Sequence, residues 1–154
     1  MSLEAWRPGL AWTPQPVCIH YRHKKQRFEK MDRFSGGAIG PIFSDRAVNK
    51  LRPLLERNGH ILQLDVINAD EKCFLWWVSL AEDSVNYEKS GKYSGSQTIS
   101  KFAFVTEKIE GLTAFRPHYD GMYNPCGQRD VYVSEEFKEA WLDAGLTGIE
   151  FRLA

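Results

Sequence analysis

The sequence carries no net charge: Lys and Arg total 20, and so do Asp and Glu. That balance lacks the basic excess by which a nucleic-acid binder advertises itself. It also lacks the acidic excess of a nucleic-acid mimic, so no nucleic-acid partner is expected. Cysteine is scarce. Cys18, Cys73 and Cys126 are odd in number and widely spaced, which is no disulfide framework and points to a reducing cytoplasm. Long apolar runs are missing as well. The opening Met1-Ser2-Leu3-Glu4, followed by Trp6-Arg7-Pro8, holds nothing like an export signal, and no later stretch approaches a membrane span, so no membrane partner is expected either. What is present is ordinary globular material, 43% hydrophobic and 26% charged. A chain of this length can bury roughly two-thirds of its unfolded surface in one domain. Aromatic residues, at 13%, suffice to fill a core or to line a recognition surface.

The charges cancel overall but are segregated. Arg7, Arg22, Lys24, Lys25, Arg27, Lys30 and Arg33 face only Glu29 and Asp32 near the start. Asp130, Glu135, Glu136, Glu139, Asp143 and Glu150 face only Lys138 and Arg152 near the end. Residues 1–40 read as an irregular arm. Pro8, Pro14 and Pro16 remove backbone donors, Val17 to Tyr21 suggests a short strand, and Ser35 to Pro41 is a Gly-rich turn.

Residues 41–154 read as an α+β domain: a mixed, mostly antiparallel sheet with two or more Ser-capped amphipathic helices packed on it. In the first helical unit Ser44 suits an N-cap, its hydroxyl accepting an orphan N–H of the first turn. Asp45 favours the positive helix start. Ala47, Val48, Leu51, Leu54 and Leu55 share one face, and Gly59 suits a C-terminal stop. Pro53 predicts a kink or a fresh turn beginning there. Leu62, Leu64 and Val66 then alternate with Gln63 and Asp65 as a half-buried strand. The nearly continuous apolar run Phe74 to Leu80 predicts a central strand covered on both faces, with Trp76 and Trp77 pointing to opposite sides. Residues 81–95 read as a loop, 98–105 and 112–115 as strands, and 118–129 as a long irregular loop. Val131-Tyr132-Val133, Ser134 and a helix bearing Phe137, Ala140, Trp141 and Ala144 repeat the first unit in outline. Gly145 suits its stop, and Ile149, Phe151 and Leu153 predict a closing strand.

Candidate chemistry is sparse. Cys18, His20 and His23 lack the spacing of a four-ligand metal site. His118, Asp120 and Cys126 share one loop, and a thiol, an imidazole and an acid are the ingredients of a thiolate nucleophile. No recognisable catalytic motif surrounds them, so a small Cys/His-dependent enzyme is an alternative reading. The run His20 to Phe28 interleaves bases with aromatics, which gives a second alternative, a weak nucleic-acid-binding module. The residue types of Arg116, His118, Tyr119, Asp120 and Tyr123 suit a recognition loop. Glu135, Glu136 and Glu139 offer an acidic helix face to a basic partner. No catalytic residue, cofactor or metal is expected.

The segment Val131 to Phe137, running on through Ala144-Gly145-Leu146-Thr147-Gly148-Ile149-Glu150-Phe151, resembles the C-terminal signature of a bacterial immunity-protein family. Members of that family are encoded beside polymorphic toxins and were formerly grouped as a domain of unknown function. Pro41 to Ala47 with Leu51, Leu54, Leu55 and Gly59 is similar to an earlier unit of that family, and Gly111 to Arg116 to its short strand before a variable loop. The resemblance implies a non-enzymatic inhibitor whose partner is a cognate toxin. It carries over no catalytic residue.

Overall fold

The computed structural model describes residues 8–19, 31–34, 40–95, 99–117 and 130–153. The fold is α+β, and its largest sheet is five-stranded. In sequence the strands are β1 (Pro16–Val17), β2 (Arg33–Phe34), β3 (Ile42–Ser44), β4 (Gly59–Val66) and β5 (Cys73–Val78). In space their order is β1-β4-β5-β3-β2. Every pairing is antiparallel except the parallel one between β1 and β4. The apolar run Cys73 to Val78 therefore takes the middle position. It has no polar side to show to water, and only the centre of a sheet covered on both faces hides both.

Helix α1 (Asp45–Arg57) follows β3 directly. Ser44 caps it, its Oγ accepting the Ala47 N–H at 3.1 Å. Ala47, Val48, Leu51 and Leu55 are its buried stripe. The helix runs unbroken through Pro53, where the residue pattern predicted a kink or restart. Pro53 and Asn49 both lie on the exposed side, so water can satisfy the Asn49 carbonyl that Pro53 leaves without a donor. Gly59 also departs from expectation. Asn58 closes the helix and Gly59 already belongs to β4. A Cβ there would stand 2.6 Å from Trp76 Nε1 and 2.8 Å from the Trp77 carbonyl oxygen. Glycine is required by the close approach of β5, not by a helix stop.

Trp76 and Trp77 divide the core as strand alternation demands. On the helical face Trp76 is 1% exposed, and its Nε1 donates to the Leu55 carbonyl at 2.9 Å. Phe43, Trp76, Phe137 and Trp141 form one aromatic cluster, with Trp76 stacked on Phe137 at 5.3 Å. On the opposite face Leu62, Leu64, Cys73, Leu75 and Trp77 pack beneath Trp12, Val17, Ile19, Phe34 and Ile42. Parts of the segment before residue 41 are thus structural: they supply both outer strands and a lid for the second face.

The rest forms smaller sheets. β6 (Leu80–Ala81), β9 (Ala114–Pro117) and β10 (Tyr132–Val133) are ordered β10-β9-β6. β7 (Gly91–Lys92) pairs with β8 (Ile99–Lys101), so the region read as one loop over 81–95 contains strand residues. The predicted strand over 98–105 shrinks to β8 and a bridge from Phe104 to Val85. The short helix α2 (Thr106–Ile109) follows. Helix α3 (Glu135–Asp143) is capped by Ser134, whose Oγ accepts the Phe137 N–H at 3.2 Å.

The expected closing strand is not formed. Ile149 and Phe151 are partly buried against the helical core as their alternation implied, but they join no ladder, and Leu153 is 99% exposed. The chain here is tied down another way. The Asp32 N–H donates to the Thr147 carbonyl at 3.2 Å, and Gly148 presses on Arg33, where a Cβ would stand 2.8 Å from the carbonyl oxygen.

Candidate partner-binding surfaces

The acidic start of α3 is the clearest charged surface. Glu135, Glu136 and Glu139 are all exposed, because the cap at Ser134 turns Phe137 and Trp141 inward and leaves these positions on the outer side. Glu136 meets Arg57 of α1 with both carboxylate oxygens at 2.9 Å. Glu135 pairs with Lys138 one turn on. Glu139 makes no ion pair among the described residues. Such exposed pairs contribute ~0–1 kcal/mol each, so the surface can exchange partners at little cost.

Arg116 lies elsewhere and differs in kind. It is buried in β9. Its Nε donates to the Val78 carbonyl at 2.7 Å, and its guanidinium carbon stands 4.8 Å from the centre of the Trp77 ring. A desolvated guanidinium over an indole gains about 2 kcal/mol. Arg116 therefore seals the end of the second core face, with His60 on the same indole at 6.0 Å. His118, Tyr119, Asp120 and Tyr123, the other members of the predicted recognition loop, lie outside the described residues, as do Cys126, His20 and His23.

Cys18 is exposed, and Cys73 is buried. Burial, and secondarily the charge of Glu71, push the Cys73 thiol up to about 11, which keeps it protonated and unreactive. Burial also raises the Asp130 carboxyl. Among the described residues no three His, Cys, Asp or Glu side chains gather where they could hold a metal ion. No described helix is long and apolar enough to cross a membrane.

One polar cluster was not visible in the sequence, where Asp32 is only a counter-charge in a basic run. In the fold Asp32 is 3% exposed. Its Oδ1 accepts the Ser44 hydroxyl at 2.9 Å. Its Oδ2 accepts Arg46 Nη1 at 2.9 Å and the Thr147 N–H at 3.1 Å. Arg46 Nη2 in turn donates to the Gly145 carbonyl at 3.0 Å. This buried carboxylate joins the start of α1, the end of α3 and the strand β2. Its partners come from two stretches of chain, 12–14 and 115 residues away in sequence, so no local spacing could reveal it. No family model, curated protein or solved structure matches the chain.

Proposed function

We propose that this chain is an immunity protein that binds a cognate bacterial toxin in the cytoplasm and neutralises it stoichiometrically, without catalysis or cofactor. The observation that carries this reading is the closing segment Val131 to Phe151, with its resemblance to an immunity signature. The roles of those residues support it. Ser134 caps α3, Phe137 and Trp141 are buried, Gly145 adopts a left-handed φ of 62°, and Leu146 is buried. Residues with such roles specify a scaffold and leave its surface free to differ with each toxin. The exposed Glu135, Glu136 and Glu139 suit a basic toxin surface, since complementary charge speeds encounter.

Co-expression with the toxin encoded beside it tests the reading. Growth should be rescued, and the two chains should leave a sizing column together. Loss of both results would remove the proposal.

A further inference from the structure

We infer that residues 12–19 are a strap that closes the second face of the sheet and releases as one unit, a gate over that face. The inference goes beyond the immunity reading and does not rest on it. It begins from an asymmetry between the two faces. On the Trp76 face, α1 and α3 bring Leu51, Leu55, Phe137 and Trp141 onto the sheet. On the other face Leu62, Leu64, Cys73, Leu75 and Trp77 are equally hidden, each at most 8% exposed. Yet no helical residue is among the described apolar groups packed on them. Phe34, Ile42 and Val66 belong to strands β2, β3 and β4, and Arg116 covers only the Trp77 end. The remaining cover is Trp12, Val17 and Ile19, all from one short stretch of chain.

The strap lies parallel to β4, with Pro16 opposite Asp65 and Val17 opposite Val66. Val17 therefore points to the same side as Val66, Leu64 and Leu62. The Asp65 N–H donates to the Gln15 carbonyl at 2.9 Å, and the Ile67 N–H to the Val17 carbonyl at 3.1 Å. Beyond the end of β4 a side chain continues the ladder. The Asn68 amide accepts the Ile19 N–H at 2.9 Å and donates to the Ile19 carbonyl at 2.8 Å. At the other end Trp12 Nε1 donates to the Gln63 carbonyl at 2.6 Å. Odd-numbered residues of β1 and its flanks thus face β4. Pro14 and Pro16 take the outward positions, where they offer no N–H to a further strand. Among the described residues no strand holds the strap from outside.

The clasps at Asn68 and Trp12 are hydrogen bonds at exposed positions, where water competes for both partners. Segments held by few buried contacts and by exposed backbone bonds open well before the whole fold does. The ladder beneath is of another kind. The Trp76 N–H donates to the Pro41 carbonyl, so Leu75 turns its N–H to β4, opposite Leu62, between two paired strands. Release of the strap would leave that ladder standing. It would bare the apolar face of Leu62, Leu64 and Leu75 with the Cys73 thiol among them.

The test combines amide hydrogen exchange with N-ethylmaleimide labelling of the full-length chain. Cys18→Ser and Cys126→Ser leave Cys73 as its single thiol. Labelling of Cys73, referred to the same thiol in urea, should give the opening constant shown by the Asp65 and Ile67 amides. That constant should exceed the one for the Leu75 amide at least about tenfold. Asn68→Ala, which removes one clasp, should raise the shared constant about tenfold. Ser134→Ala weakens a distant helix cap. It should raise the Leu75 constant about fivefold and leave the shared one unchanged. A Cys73 constant equal to that of Leu75 overturns the inference, whether or not the two amides open early. So does a Ser134→Ala chain in which Cys73 speeds up as much as Leu75, or an Asn68→Ala chain in which Cys73 does not change.

Discussion

The two Ser-capped units look alike in sequence and are built differently in space. Each has a short strand, a serine, a helix with two aromatic or aliphatic turns buried, and a glycine after it. In the first, the strands on either side of the helix, β3 and β4, flank the same central strand β5. In the second, β10 pairs with β9 in another sheet, and among the described residues no strand follows α3. The caps differ too. Ser44 Oγ both accepts from Ala47 and donates to the buried Asp32, whereas among the described residues Ser134 Oγ accepts from Phe137 alone. A local motif therefore fixes a local conformation, and its place in the sheet is set by which edge remains vacant.

The glycines should separate the units most. Gly59→Ala would drive a methyl group into the Trp77 carbonyl and the Trp76 indole, an overpacking that should cost about 3 kcal/mol. Gly145→Ala meets only Arg46 Nη2 at an ordinary 3.8 Å but keeps a φ of 62°, which should cost about 1 kcal/mol. Urea unfolding of both variants gives the comparison, and equal losses would show that the two glycines do the same job.

The caps come next. Ser134→Ala should cost about 1 kcal/mol, the usual value of a lost N-cap. Ser44→Ala should cost about twice that, since it also leaves Asp32 one hydrogen bond short in a buried site. In an Asp32→Ala background the excess at Ser44 should vanish. If it persists, the carboxylate is not what reinforces the first cap.

Alkaline pH separates the regions more gently. Burial first, and the charge of Asp130 second, push the Tyr132 hydroxyl up from 10.0 to about 12. Cys73 beside the first unit shifts from 9.0 to about 11. Both groups hold their protons more tightly in the folded chain, so the unfolded chain deprotonates first and stability falls as pH rises. The decline should begin near pH 9, through Cys73, and steepen near pH 10, through Tyr132. Tyr132→Phe should remove only the later part. A profile that stays flat above pH 9 would contradict both shifts.

Much of this fold was legible in advance because its signals are local. The Ser44 and Ser134 caps, the buried stripe of α1, the alternation of β4 and the two-faced apolar run of β5 follow from periods of 3.6 and 2 and from cap chemistry. The failures share one cause. Ile149 and Phe151 alternate as a strand does and turn inward accordingly, but alternation reports only which side chains are buried, not whether a neighbouring edge is free. Gly59 resembled a helix stop because nothing in the sequence shows that an indole from β5 will arrive beside it. Of the candidate surfaces, the acidic start of α3 was legible from cap and charge. Arg116 looked like a loop residue and proved to be a buried seal over Trp77.

By itself the sequence determined the α+β class, the helices and their caps, the central strand and the division of Trp76 from Trp77. Those are properties of a few consecutive residues meeting water on one side and a core on the other. Tertiary structure alone decided that Asp32 ties Ser44 and Arg46 to the distant Thr147, and that the two Ser-capped units serve different sheets. Each of these depends on which distant backbone groups find partners, and that is settled only when the strands are placed.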